Sequence, residues 1–249
     1  GLTSKLYSYF HSQDVPIYPL VIEGESGSGK SSFLANIVDK QTNSSHHRVF
    51  YHFCGVNSGS QHLPDMLNRL YEEFRSWIQS QSFVSDDIMK KLPIQEEIKD
   101  IGLIFSYINE ALYQLEKESD GDDSLPTVIF VLDAVNQLDE ARYNEDNSFP
   151  SSMKWLPEKF KARMMRVVVS CLSDSKALKS LDDLKQPKEK IKPLENEDQR
   201  KRLVNEWHKK FHKDVEADIE EIVWDPVTKE KNPSGRMIKI VSRLWEAEQ

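Results

Sequence analysis

The segment Pro19–Val38, PLVIEGESGSGKSSFLANIV, decides the fold class of this chain. It begins with an apolar run that contains β-branched residues and is typical of a strand buried on both faces. A loop of glycine and serine follows, and from Lys30 the apolar residues recur at helical spacing. A glycine-rich loop between a strand and a helix is the context in which such loops bind phosphate groups.

The loop Gly24–Ser31, GESGSGKS, matches the phosphate-loop pattern in full. Gly27 and Gly29 allow the backbone to curl with its amide groups pointing inward, where a side chain would block the approach of phosphate. Lys30 supplies a mobile positive charge for the β- and γ-phosphates. The helix that starts near Lys30 adds the positive end of its dipole.

Two serines after the lysine complete the predicted nucleotide site. The Ser31 hydroxyl is suited to ligating Mg²⁺, and Ser32 is suited to bonding the α-phosphate. No guanine-reading Asn/Thr-Lys-x-Asp segment occurs in the sequence, so we expect ATP or ADP with Mg²⁺. The predicted nucleotide-binding residues of this segment are Gly24, Glu25, Ser26, Gly27, Ser28, Gly29, Lys30, Ser31 and Ser32.

A second predicted strand carries a carboxylate to its end. The run Thr127–Leu132 is almost entirely apolar and leads directly into Asp133. The carboxyl ends of parallel strands form the edge at which such folds bind ligands. We therefore predict that Asp133 holds Mg²⁺ through water, with Ser31 as the other metal residue. The alternative is an aspartate that only caps a turn.

The residues after Asp133 bear on catalysis. Asn136 and Gln137 follow it by three and four positions. A carboxamide can orient water but cannot take its proton, whereas a general base accelerates a reaction by about 10²–10⁴-fold. We expect slow ATP hydrolysis or none, with these two residues orienting water at most. Ser170, at the end of the predicted strand 166–170, is a further candidate for contacting phosphate, or it simply ends that strand.

Alternating strands and helices predict an α/β fold, a P-loop NTPase three-layer αβα sandwich with a parallel sheet of about five strands. Further strands are predicted at 48–54 and 191–194, and long helices over 63–78 and 94–115. The pattern becomes all-helical after residue 194. We therefore predict a nucleotide-binding α/β domain over 1–194 and a small helical lid subdomain over 195–249.

Composition narrows the classes of partner. The 249-residue chain carries a net charge of −8, which disfavours nucleic acid and anionic membranes because both require a positive field. The lysines from Lys185 to Lys192 are preceded by Asp182 and Asp183 and interrupted by Glu189, which indicates a solvated loop. No apolar run approaches the roughly 20 residues that cross a bilayer. Two cysteines, Cys54 and Cys171, are typical of reduced core thiols in a cytoplasmic protein.

Taken together, these segments resemble the STAND class of signal-transduction ATPases, nearest to NACHT-like members of the nephrocystin and telomerase-associated protein kind. The similarity begins with the phosphate loop and extends in order over most of the chain. The later segments that carry it are 50–55 (FYHFCG), 132–138 (LDAVNQL), 155–157 (WLP), 167–170 (VVVS), 192–194 (KPL) with Arg200, and Asn232-Pro233.

The resemblance implies a nucleotide switch that is closed with ADP and open with ATP, and that oligomerises in response to nucleotide. It also implies partners among other domains of a longer chain and among other proteins, which agrees with a sequence that opens at Gly1 in mid-helix pattern. This chain departs from the class at Asn136 and Gln137, where an acidic pair is usual. It also lacks the apolar residues that usually follow the Asn232-Pro233 pair.

Three functions are compatible with the sequence. The first is an ATP/ADP-binding regulatory module with slow or no hydrolysis. The second is an active ATPase or a kinase of a small acceptor, with Asp139 or Glu140 as its base. The third is a protein-interaction scaffold whose nucleotide site is degenerate.

Overall fold

The computed structural model describes residues 1–14, 16–57, 59–119, 125–138, 153–183 and 186–192. Its strands are β1 (Leu20–Gly24), β2 (His47–Phe53), β3 (Thr127–Asp133), β4 (Met165–Leu172) and β5 (Lys188–Ile191). Its α-helices are α1 (Leu2–Phe10), α2 (Lys30–Thr42), α3 (Leu63–Gln79), α4 (Asp86–Met89), α5 (Ile104–Glu118) and α6 (Lys176–Asp183). Short 3-10 turns occupy Gln95–Glu97, Ile101–Leu103 and Val135–Gln137.

The five strands form one parallel sheet in the order β2-β3-β4-β1-β5, flanked by helices. β3 lies between β2 and β4, and its residue Phe130 is opposite Phe50 on one side and Val167 on the other. The apolar sequence of β3 suits this place, since an interior strand of a parallel sheet is covered on both faces. The predicted α/β class with a parallel five-stranded sheet is thereby confirmed.

The described residues divide into two compact units. The first consists of residues 1–23 and 31–189. The second consists of residues 24–30 together with the described residues from 190 onward. Residues 24–30 of the phosphate loop thus fall in the second unit, and Ser31, Ser32, Asp133 and Ser170 fall in the first.

The core of the first unit is a cluster of aromatic rings where α3 and α5 pack on the sheet. Phe50 stacks on Phe130 with ring centroids 5.1 Å apart, and Phe105 meets Phe130 edge-on at 5.2 Å. Phe74 of α3 lies 5.9 Å from Phe50. Both helices present one apolar stripe to these rings, which is why their sequences showed steps of three and four. The cluster fixes β2 and β3 beside each other and so positions the ends of both strands.

Helix α1 is attached to β4 through two side chains. The Tyr9 hydroxyl accepts a hydrogen bond from the Val167 N–H at 3.1 Å and lies 2.8 Å from the Tyr18 carbonyl. Arg166, which is 2% exposed, donates to the carbonyls of Tyr9 and Ser12 at the end of α1. The buried guanidinium therefore donates to backbone carbonyls at and just after the last turn of α1 and holds this end of the helix against β4.

One predicted helix was too long. The pattern over 94–115 indicated a single helix, but α5 begins only at Ile104 and is preceded by two 3-10 turns. The Asp100 side chain caps the second turn by accepting from the Gly102 N–H at 2.9 Å. Ile94 is 44% exposed, so the apolar residues before Ile104 do not share one buried face.

The last strand was predicted a few residues too late. β5 covers Lys188–Ile191 rather than 191–194, so part of the lysine-rich segment that was interpreted as a loop is a strand. Its exposure alternates along the strand, and it lies at an edge of the sheet, where charged residues are tolerated. Lys188 Nζ pairs with Asp182 Oδ1 of α6 at 2.6 Å.

The predicted lid, 195–249, and the segments around Arg200 and Asn232 lie outside the described residues, so the domain boundary near residue 194 stays a prediction. Asp139 and Glu140 lie outside them as well. Among the helices that the structure describes, none combines the length and the apolar character needed to cross a bilayer.

Candidate functional site

The phosphate loop has the backbone conformation that its glycines allow. Gly27 has φ 75° and Gly29 has φ 94°, both in the left-handed region that residues with a Cβ rarely adopt. The Ser28 N–H, between them, bonds the Glu25 carbonyl at 3.2 Å. These two positions therefore require glycine for conformational reasons, as the pattern predicted.

Lys30 is fastened to its own loop. Its ammonium group donates to the carbonyls of Gly24 and Glu25, each at 2.8 Å, and the residue is 8% exposed. An ammonium group has three donors on a flexible stem, so it can exchange carbonyl partners for phosphate oxygens without rebuilding the backbone. The loop thus holds one positive charge in a largely buried position.

The start of the loop is tightly packed. A Cβ on Gly24 would come 2.7 Å from Ser28 Oγ and 2.7 Å from the Ile191 carbonyl oxygen, both within the second unit. The Ser28 hydroxyl is buried and has no hydrogen-bond partner among the described residues. A buried hydroxyl without a partner is costly, and a bound polar group would satisfy it.

The remaining residues of the predicted nucleotide set are on the surface. Glu25 and Ser26 are exposed in the loop, and Ser31 and Ser32 are exposed in the first turn of α2. Their hydroxyl and backbone groups are therefore accessible to a ligand.

In the first unit, Asp133 and Ser170 form a buried pair at the carboxyl ends of β3 and β4. Asp133 is 2% exposed and Ser170 is 0% exposed. The Ser170 hydroxyl donates to Asp133 Oδ1 and accepts from the Ala134 N–H at 2.9 Å. Ser170, predicted to contact phosphate, thus lies against the carboxylate that was predicted to hold Mg²⁺.

The turn after Asp133 is strained. Ala134 has φ 53°, a left-handed conformation that costs roughly 1–2 kcal/mol for an L-residue. A 3-10 turn, Val135–Gln137, follows it directly. Such outliers persist only where surrounding contacts impose them, and here the hydrogen bond that the Ala134 N–H donates to the Ser170 hydroxyl is one such contact.

Asn136 and Gln137 are engaged by neighbouring chain segments. Asn136 Oδ1 accepts from the Leu172 N–H at 3.1 Å, which ties the turn to the end of β4. Gln137 Oε1 lies 3.5 Å from Gln61 Nε2, and a Cβ on Gly55 would come 2.2 Å from it. The sequence did not indicate the contacts with Gln61 and Gly55, because those residues follow β2 and become neighbours only through the sheet.

Cys54, which follows β2, is an inert thiol. Burial, followed by the charge of Asp133, raises the pKa of Cys54 to about 12, so it stays protonated at neutral pH. Its N–H bonds the Asp133 carbonyl at 3.2 Å. The thiol therefore serves packing at this edge and has no thiolate chemistry.

Asp133, at the edge of the first unit, is the carboxylate that was predicted to hold Mg²⁺ through water. An ionised carboxylate accepts several hydrogen bonds, so Asp133 retains capacity beyond the one from Ser170. The part of the chain that the structure describes contains no group of three His, Cys, Asp or Glu residues arranged to hold a metal ion. A magnesium ion with most of its waters and one or two protein ligands needs no such group.

Comparison with protein families matches residues 3–173 to the family described as Nephrocystin 3, N-terminal. The matched range is more than half of the 249-residue chain and includes the loop, Asp133 and Ser170. A search of the curated proteins finds no match. The nephrocystin part of the resemblance is confirmed, and the wider STAND and NACHT assignments stay predictions.

Proposed function

Because the chain belongs to the family described as Nephrocystin 3, N-terminal, we propose that it is a nucleotide-binding regulatory module of a larger protein. The ligand is ATP or ADP, bound through its phosphates by the loop 24–32. Phosphate recognition is the first step of this proposal, and the regulatory role depends on it.

The observation that carries the proposal is the conformation of the loop itself. Gly27 and Gly29 are in left-handed conformations, and Lys30 is fastened to carbonyls of the same loop. This is the backbone that a phosphate cradle needs, since inward-facing amides and one mobile ammonium group bind phosphate oxygens. The unpartnered Ser28 hydroxyl adds a further polar group for a ligand to satisfy.

Mg²⁺ is proposed to accompany the nucleotide. When bound, it would neutralise charge on the phosphates. Ser31 would ligate it directly, and Asp133 would hold it through water. The bond from Ser170 to Asp133 Oδ1 supports this role for Asp133, because it orients the carboxylate.

Slow hydrolysis is the expected consequence of the residues after Asp133. Asn136 already binds the Leu172 N–H through its oxygen, and Gln137 lies beside Gln61. Neither carboxamide can take a proton from water. This favours a regulatory module over an active ATPase or a small-acceptor kinase.

The first test is a calorimetric titration of Mg²⁺-ATP and Mg²⁺-ADP into nucleotide-stripped protein, repeated with Lys30→Ala. We expect the intact chain to bind with a Kd of about 1 μM or tighter, and Lys30→Ala to lose that binding. Lys40→Ala is the matched control, because Lys40 is exposed in the last turn of the same helix, α2.

The alternatives predict different results. An active ATPase or kinase would turn over ATP at a rate that an added acceptor, or Asp139→Ala, changes. An interaction scaffold with a degenerate site would bind neither nucleotide. Equal binding by the intact chain and by Lys30→Ala would mean that the loop 24–32 is not the nucleotide site.

The proposal also covers the partners and the cellular location of the module. We propose that it acts on other domains of a longer chain and on protein partners, with nucleotide-dependent oligomerisation that light scattering with ADP and ATP would measure. Both cysteines are buried and form no disulfide in the described part of the chain, which supports a cytoplasmic location.

A further inference from the structure

A cavity of about 310 Å³ lies at the edge of the sheet opposite to Asp133. It opens where α1 ends and where β2, β3 and β4 begin, and all of its lining residues belong to the first unit. Its volume is within the range of pockets that bind small molecules. The cavity is therefore distinct from the phosphate loop and from the residues after β3.

Three imidazole groups line this cavity, those of the consecutive residues His46 and His47 and that of His11, which is distant in the sequence. His11 is the residue that ends α1, and its ring centroid lies 5.4 Å from that of His47 at the start of β2. The backbone carbonyl of His46 accepts from the Thr127 N–H at 2.9 Å, which fixes this segment to the start of β3. The fold thus gathers donors for an anion at one place.

Two guanidinium groups and one carboxylate add charge to the same cavity. Arg166 is buried and held by backbone carbonyls, including those of Tyr9 at 2.7 Å and Met165 at 2.8 Å. Arg163 also lines the cavity and its side chain is exposed. Glu116 is the carboxylate, and its Oε1 accepts from the Met164 N–H at 2.5 Å. Among the described lining residues, positive groups therefore exceed negative ones at neutral pH.

The His47 side chain has a polar atom that is unsatisfied within the described ranges. Its Nδ1 is buried and has no hydrogen-bond partner among the described residues. Burial, followed by the nearby imidazoles of His11 and His46, lowers the pKa of His47. An anion beside these rings would provide the missing acceptor and offset the repulsion among them.

Three apolar residues, Phe10, Leu125 and Met164, also line the cavity and are called its apolar wall. A free inorganic anion would leave this wall without a contact, whereas an organic body attached to the anion would cover it. A phosphomonoester combines such a body with a charge of about −1.5 to −2 and three acceptor oxygens. Guanidinium and imidazole groups can donate hydrogen bonds to those oxygens.

We propose that this cavity binds a small phosphomonoester, with its phosphate on His47 and Arg163 and its organic body against Phe10 and Met164. The binding does not depend on the nucleotide proposed for the loop 24–32, because no residue of that loop lines the cavity.

The test titrates phenyl phosphate into the full chain at constant ionic strength and pH 7, and follows the histidine ring signals by NMR. We expect saturable shifts of the His47 signals with a Kd of about 1 mM or tighter, weaker binding of inorganic phosphate, and none of phenol. Non-saturable shifts, or equal shifts with phenol, would overturn the proposal. Equal affinity for inorganic phosphate would remove the role of the apolar wall.

Matched variants distinguish a built site from general electrostatic attraction. Arg163→Gln should weaken binding about tenfold or more, because it removes a charged donor. Lys161→Gln makes the same charge change two positions away, on a side chain that is 68% exposed and does not line the cavity, and should leave the Kd unchanged. Equal weakening by both variants would overturn the proposal.

Two further variants serve as a replacement for Arg163→Gln and as a test that the cavity, not the loop 24–32, binds the ligand. His46→Gln changes an exposed cavity residue and replaces Arg163→Gln if the latter does not fold; it should weaken phenyl phosphate binding, and an unchanged Kd would count against the cavity. Lys30→Ala should retain phenyl phosphate binding even where it loses ATP. If Lys30→Ala lost phenyl phosphate as well, the ligand would be bound by the loop 24–32 and the cavity proposal would fail, whatever the result for ATP.

Discussion

The buried contact between Ser170 and Asp133 leads to a prediction about a single residue. The Ser170 hydroxyl donates to the carboxylate and accepts the Ala134 N–H, and all three residues are buried. Ser170→Ala leaves both groups without this partner in a water-poor environment. We expect the free energy of unfolding to fall by about 1.5–3 kcal/mol, as for hydrogen bonds to charged groups, in urea denaturation at pH 7.

Ser173 provides the matched control. Its hydroxyl is also buried, but it has no hydrogen-bond partner in the described part of the chain. Ser173→Ala removes no bond and relieves an unsatisfied group, so its free energy of unfolding should stay within about 0.5 kcal/mol or rise. Equal losses in the two variants would mean that the contact with Asp133 contributes nothing specific.

The residues of the candidate site differ in how far the sequence could predict them. Gly24–Ser32 are consecutive, so the spacing alone predicted a loop whose backbone curls at Gly27 and Gly29. Asp133 was found because an apolar strand ends there. The hydrogen bond from Ser170 to Asp133 depends on strand order and register, which no local pattern records. The bond from the Leu172 N–H to Asn136 was missed for the same reason.

At the scale of elements, the attachment of α1 to β4 can be tested through one hydroxyl. The Tyr9 hydroxyl accepts from the Val167 N–H and lies within hydrogen-bond distance of the Tyr18 and Val167 carbonyls. Burial raises the pKa of this hydroxyl, so it stays neutral and keeps its proton for donation. Tyr9→Phe should lower the free energy of unfolding by about 1–3 kcal/mol in urea denaturation.

The same helix supplies the control. Tyr7 lies two positions earlier in α1 and makes no hydrogen bond through its side chain within the described ranges. Tyr7→Phe should therefore change the free energy of unfolding by less than about 0.5 kcal/mol. If Tyr9→Phe and Tyr7→Phe were equally stable, the Tyr9 hydroxyl would not fasten α1 to β4.

The bounds of strands that are covered on both faces were predicted well. The bounds of an edge strand and of a helix that follows exposed apolar residues were predicted poorly. β3 and β4 are covered on both faces, so their apolar runs mark their bounds. β5 is an edge strand with alternating exposure and charged residues, which gives no apolar run to detect. α5 was predicted too long because Ile94 continues its spacing while lying 44% exposed.

At the scale of the whole first unit, the parallel sheet separates two kinds of chemistry. Asp133 and the carboxamides of Asn136 and Gln137 lie at its carboxyl edge. Its amino edge collects His11, His46 and His47 with two guanidinium groups, which predicts sensitivity to pH. The sequence revealed the first edge through strand endings. It did not reveal the second, because the residues that begin strands carried no motif.

That sensitivity gives a prediction for the stability of the whole protein. Burial, followed by the nearby imidazoles of His11 and His46, lowers the pKa of His47 below its ordinary value of 6.5. The charged residues Arg163, Arg166 and Glu116 line the same cavity. The unfolded chain therefore binds more protons below about pH 6.5, and the free energy of unfolding falls as the pH decreases through that window. His47→Gln should reduce this slope by up to one proton, measured by urea denaturation from about pH 7 to pH 5 without phosphate.

His52, whose pKa burial also lowers, keeps part of the slope in that variant, and His47→Gln/His52→Gln should reduce it further. An unchanged slope in His47→Gln would mean that His47 binds protons equally in the folded and unfolded chains.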